Sequence, residues 1–229
     1  MNPSLFRQTW TILRKDLLRE WRSREILTTT VAFAVLLMVV FTFAFYHDDE
    51  TAALVFPGIL WVAIVFTGTL AIARTFQHEQ HGDSLRALAL IPGTENSLYL
   101  GKFCVNLLFM FLFELALVPL MIFTFPVDVM DALSLHVLVI VVGTVGFAAL
   151  GTLVSAMLVR SQLREVLLPI VLYPLLIPLL IAGVLVTTAL LDGDGWADVG
   201  IWIQAMVLID IVYLVVSLVL FRWVLSAVE

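Results

Sequence analysis

The chain has 229 residues, 62% apolar and only 13% charged, with 12 Lys and Arg against 18 Asp and Glu for a net charge of −6. A soluble domain carries about 25% charged residues; at a mean hydropathy of +1.09, this much apolar surface is hidden by lipid and not by soluble packing. The one cysteine, Cys104, excludes an internal disulfide framework and a metal–thiolate cluster.

Residues 1–26 hold Arg7, Arg14, Lys15, Arg19, Arg22 and Arg24. Over 4–25, Phe6, Trp10, Leu13, Leu17 and Trp21 recur every three or four positions, with Arg7, Thr11, Arg14, Lys15 and Arg22 largely elsewhere. That spacing predicts a cytoplasmic amphipathic helix lying along an anionic leaflet, an elbow before the first span. Asn2 or Ser4 could cap it. The first apolar run starts near Leu27, after a long charged segment and without a small-residue cleavage site, which reads against a cleaved leader.

Six apolar stretches follow, at about 27–45, 53–73, 100–123, 133–157, 167–190 and 201–221. Each is long enough to cross a hydrocarbon core of about 30 Å as a helix. An open sheet would leave its edges unpaired in lipid, so the expected fold is an all-α polytopic membrane protein. Every Lys and Arg falls on one set of alternate connections: the N-terminal segment, Arg74, Arg86 and Lys102 around the second connection, Arg160 and Arg164 on the fourth, and Arg222 at the C-terminal end. The opposite connections carry Asp48, Asp49, Glu50, Asp128, Asp131, Asp192, Asp194 and Asp198. The positive-inside rule then predicts both termini in the cytoplasm. Trp10, Trp21, Trp196, Trp202 and Trp223 fall near the expected interfaces, as aromatic belts do.

The second connection is the longest cytoplasmic one. Asp83 or Ser84 could cap a short helix over 84–91 bearing an apolar stripe of Leu85, Leu88 and Ile91, and Pro92-Gly93 ends it. A helix this short is not stable alone, which points to docking on a partner subunit; a solvated loop is the plainer alternative. The fourth span carries Gly143, Gly146 and Gly151 with Ala148 and Ala149, a small-residue face for close helix packing within the chain or between two copies. The fifth span carries Pro169, Pro174 and Pro178, each of which removes a backbone donor. A kinked or broken helix is expected there, serving packing geometry or acting as a gating hinge.

Glu114 and Asp210 fall near the middle of the third and sixth spans. A charge at bilayer centre costs about 2.5–3.5 kcal/mol on insertion scales, and no Lys or Arg lies at that depth. They are expected to be protonated or hydrogen-bonded, in a structural role or in handling a substrate or proton. No GxxxxGK[ST], HExxH or CxxCH motif is present. His78 and His81 with Glu79 between them lack a third firm metal ligand, so no enzyme and no metal site is read here.

The stretches PGILWVAIVFTGTLAIARTF (57–76) and HEQHGDSLRALALIPGTENSLYLGKF (78–103), after a basic amphipathic N-terminus, resemble the heme exporter protein B family, CcmB. The resemblance extends over essentially the whole chain, including the proline-rich LLPIVLYPLLIPLLIAG at 167–183. It implies the membrane permease subunit of an ABC-type cytochrome c maturation complex with ABC-2-type exporter architecture, in a bacterial inner membrane. It implies two copies paired with two copies of a cytoplasmic ATPase subunit that binds the ATP, a haem-handling membrane protein, a small single-span subunit and a periplasmic haem chaperone. It places coupling to the ATPase on His78, Glu79, Asp83, Ser84, Leu85 and Leu88. Whether such a complex exports haem or releases haem-loaded chaperone stays open at this stage. Among residue types that ligate haem iron, His47, His136, His78, His81, Met121 and Met130 show no pairing in sequence, so no cofactor is assigned to this chain. An exporter of a drug, lipid or polysaccharide, a non-transport assembly scaffold and an ion-driven carrier are the alternatives.

Overall fold

A computed structural model of the chain describes residues 5–23, 25–45, 48–75 and 95–226. Among these, seven helices follow in order: α1 (Leu5–Ser23), α2 (Glu25–Ala44), α3 (Asp49–Thr75), α4 (Glu95–Thr124), α5 (Leu133–Met157), α6 (Arg164–Leu191) and α7 (Trp196–Ser226). Five of them, α3 to α7, are long and apolar enough to cross a membrane, and α2 adds a shorter apolar stretch, Val31–Ala44. The chain is therefore an all-α polytopic membrane protein with five to six apolar helices.

The connections are built from local hydrogen bonding. Before α3, Asp48 Oδ1 accepts the Thr51 amide at 3.0 Å and Oδ2 accepts the Thr51 hydroxyl at 2.6 Å, an N-cap that satisfies an amide the first helical turn leaves free. These bonds, the Thr51 hydroxyl first, hold the Asp48 carboxyl below its ordinary pKa. At the start of α7, Asp198 reaches back to the Gly195 amide at 3.3 Å, as the third residue of a capping box does. Gly193, at φ 94°, ends α6: its amide bonds the Leu190 carbonyl and the Asp194 amide the Ala189 carbonyl, the paired bonds of a Schellman turn that needs the left-handed conformation. Asp48 and Asp198 thus cap helices where the dipole favours negative charge.

Helix α5 is the centre of the bundle and packs on α3, α4, α6 and α7. Its small residues allow this. A Cβ on Gly143 would lie 2.3 Å from Trp61, one on Gly146 2.0 Å from Asp210, and one on Gly151 2.5 Å from Ile72. Close packing within the chain, one of the two uses expected of this face, is observed. Trp61 is wedged between Gly143 and Gly183, and its indole N–H donates to Thr187 Oγ1 at 3.1 Å. With no hydrophobic force between helices in lipid, such shape fitting and buried hydrogen bonds hold the bundle together.

Helix α6 runs unbroken through Pro169, Pro174 and Pro178, so of the kinked or broken span expected there the break is absent. Membrane helices tolerate proline where neighbouring helices pack on them; here the Tyr213 hydroxyl of α7 donates to the Leu175 carbonyl, between Pro174 and Pro178. Helices α4 and α7 start earlier than hydropathy alone suggests, at Glu95 and Trp196. The early part of α4 lies against α1 and not against lipid: Ile12 sits where a Cβ on Gly101 would be, at 2.8 Å.

Candidate functional site

The residues with most of the buried polar chemistry gather at the end of the bundle that carries the Lys and Arg. Lys102, on the second turn of α4, is 1% exposed. Its ammonium lies 2.8 Å from Asp16 Oδ2 of α1 and 3.4 Å from the Thr75 carbonyl in the last turn of α3. The Thr75 hydroxyl donates to Asn106 Oδ1 at 2.5 Å, and Asn106 Nδ2 donates to Thr152 Oγ1 of α5 at 2.8 Å. A second strand of the network starts on α6. Arg164 Nη2 donates to Ser155 Oγ at 2.8 Å and to the Ile72 carbonyl at 3.4 Å, and Ser155 itself donates to Ile72 at 3.2 Å. The Ser97 hydroxyl donates to Gln8 Oε1 at 2.7 Å.

The physics of such a cluster is demanding. Desolvating an ammonium and a carboxylate costs several kcal/mol per ion, offset only by good geometry and further hydrogen bonds. Lys102 has both. Its position also has a consequence for the segment 76–94, which joins α3 to α4. The two described residues bounding that segment's flanks, Thr75 and Glu95, belong to helices that meet at Lys102. The coupling residues expected from sequence, His78, Glu79, Asp83, Ser84, Leu85 and Leu88, lie outside the described residues.

Glu114 and Asp210 are both buried, but they are not brought together. Glu114 Oε1 accepts the Thr144 hydroxyl at 2.6 Å; Asp210 packs over Gly146. Thr144 and Gly146 are two residues apart, or about 200° around α5, so the two acids flank α5 on opposite sides. Glu114 Oε2 and Asp210 Oδ1 have no hydrogen-bond partner among the described residues. An apolar groove of about 500 Å³ between α4 and α5 is lined by Leu108, Leu112, Leu115, Val137 and Val141 together with Glu114. Of the haem-ligand types, His136 is buried with Nδ1 3.0 Å from the Ala132 carbonyl, Met121 is core and Met130 is exposed; His47, His78 and His81 lie outside the described residues. Among the described residues no three His, Cys, Asp or Glu cluster as metal ligands do.

Sequence reasoning missed the Asp16–Lys102 pair and the Arg164–Ser155–Ile72 bonds. It counted Lys102 and Arg164 as markers of one membrane side, when both are buried. A lysine embedded in an apolar run, and an acid within an otherwise basic helix, were the available signals.

Residues 7–226 match the family described as CcmB protein. Among relatives, a heme exporter protein B of Escherichia coli (strain K12) is 29% identical over 83 residues, 36% of this chain, and the matched part spans only 38% of that protein's length. The proteins of the same description from Haemophilus influenzae and Pseudomonas aeruginosa are each 26% identical, over 172 and 187 residues. Those matches cover 74% and 81% of this chain and 76% and 82% of the relatives. With the family match running across all seven helices, the chain belongs to the CcmB family.

Proposed function

We propose that this chain is the membrane subunit of an ABC-type complex required for c-type cytochrome biogenesis. In this reading it couples ATP hydrolysis by a partner subunit to export of haem or to release of a haem-loaded chaperone. The observation that carries the reading is the family match over 7–226. The chain is a multi-pass membrane protein, and its place is the bacterial inner membrane. The distribution of Lys and Arg supports six spans with both termini cytoplasmic.

Helix α1 supports the elbow reading. Phe6 and Trp10 are 78% and 57% exposed, and Arg7, Arg14, Lys15 and Arg19 are exposed beside them, as suits an interfacial helix on anionic lipid. The ATPase subunit docks on 76–94 through His78, Glu79, Asp83, Ser84, Leu85 and Leu88, and the prolines of α6 serve as the hinge. A haem-handling membrane protein, a small single-span subunit, a periplasmic chaperone and a second copy of this chain complete the complex. The test is charge reversal at the docking segment, Glu79→Lys or Asp83→Lys. ATP turnover should continue while cytochrome c maturation is lost, with insertion intact. Normal maturation in both variants would remove the coupling role.

A further inference from the structure

Helix α1 has three faces and not two. Phe6, Trp10, Leu13 and Leu17 form one and Arg7 and Arg14 a second, with Lys15 and Arg19 exposed along the edge of the third. Gln8, Ile12 and Asp16 form the third, spaced by four residues and so aligned along the helix. This third face is the one that meets α4, through Gln8 on Ser97, Ile12 on Gly101 and Asp16 on Lys102. The expected amphipathic pattern accounts for the first two faces only. A helix held solely by the leaflet has no use for a buried ion pair on its remaining side.

We infer that Asp16 and Lys102 are positioning residues, a joint that makes α1 move with the end of α3 and the start of α4. Lys102 touches three elements at once: it belongs to α4, pairs with α1 and donates to the carbonyl of Thr75 on α3. Thr75 passes the connection through Asn106 to Thr152 on α5. Displacing α3 or α4 at this end without α1 would leave the buried Lys102 ammonium without its carboxylate, while Asp16 would keep Lys15 at 3.3 Å. Force that reaches the last turn of α3 or the start of α4 is therefore shared with α1 and α5. The inference rests on the proposed function for the source of that force. The joint itself does not depend on it.

The test uses the full chain in its native membrane and complex. Gln8→Cys and Ser97→Cys, with Cys104→Ser, give a pair whose oxidative cross-linking reports the docking of α1. This parent should cross-link readily. Adding Asp16→Asn should lower the yield at least tenfold, as should Lys102→Ala. The exchange Asp16→Lys with Lys102→Asp should restore it to within twofold. In chains without the cysteine pair, Asp16→Asn should lower the cytochrome c matured per ATP hydrolysed at least tenfold, at equal amounts of inserted chain and co-purified ATPase subunit. The exchange should recover it. If Lys102→Ala does not accumulate, Asp16→Asn carries both readouts, since it alters only the docked helix. Undiminished cross-linking in Asp16→Asn overturns the joint. Diminished cross-linking with an unchanged ratio of cytochrome to ATP overturns the positioning role. A wild-type chain that supports no maturation overturns the proposed function instead, and the cross-linking arm still decides the joint.

Discussion

The sharpest packing prediction concerns Gly183→Ala. The added methyl would lie 2.4 Å from Trp61 Cζ2 and 2.5 Å from Cε2, closer than such atoms can stand. The indole cannot yield toward α5, because the ring already lies 2.3 Å from where a Cβ on Gly143 would stand. Nor can it turn freely: its N–H is held by Thr187 Oγ1, whose own hydroxyl donates to the Gly183 carbonyl at 2.7 Å. Overpacking of this kind costs about 1–3 kcal/mol, and a strained hydrogen bond between membrane helices adds about 0.6 kcal/mol. A loss of about 2–3 kcal/mol is therefore expected, read by reversible unfolding in mixed micelles with circular dichroism. Trp61→Phe removes the atoms that collide, so the double variant should be less impaired than the sum of the singles by about 1 kcal/mol, a coupling typical of touching residues. A Gly183→Ala chain within about 0.3 kcal/mol of wild type, below the usual coupling range, would refute the wedge. So would strictly additive singles.

Other perturbations test the acids. Glu114→Gln and Asp210→Asn should leave assembly and cytochrome maturation intact, since among the described residues neither acid has a basic partner to lose; maturation lost with assembly intact would establish proton handling instead. Glu114→Leu should cost only about 1 kcal/mol, because Thr144 keeps its bond to the Ile140 carbonyl at 2.8 Å; micelle unfolding checks it. Gly146→Ala, whose methyl would meet Asp210 Oδ1 at 2.0 Å, should lower thermal stability in detergent, and Asp210→Ala in the same chain should recover it. At Asp48 the folded pKa is depressed below 3.8. Its cap is thus fully present above that value and lost as pH falls through the folded value, which amide exchange at Thr51 should report as opening of the first turn of α3.

The apolar helices were legible in the sequence because lipid imposes a length and composition on each, and α5 falls at 133–157 as expected. Its start is marked by Pro126, Asp128 and Asp131, which no span tolerates together. The early turns of α4 were not legible. Glu95, Ser97 and Lys102 read as the flank of a loop, since hydropathy cannot distinguish a polar side chain facing water from one facing another helix. Asp16 and Lys102 are 86 positions apart, beyond any local periodicity. The three prolines of α6 were visible, but Tyr213 on α7 and its bond to Leu175 belong to tertiary structure. The glycines of α5 signalled close packing correctly, while only the fold reveals that Trp61 and Asp210 fill the spaces they leave.

The central claim is that this chain works as one part of an ATP-driven cytochrome c maturation complex. The most direct measurement is native purification of a tagged copy in mild detergent, with mass spectrometry of what co-elutes. The account predicts recovery of an ABC ATPase subunit together with a haem-handling membrane protein. An intact complex without any ATPase subunit would contradict it, and an ATPase recovered with no haem-handling partner would assign the chain to the export of another cargo.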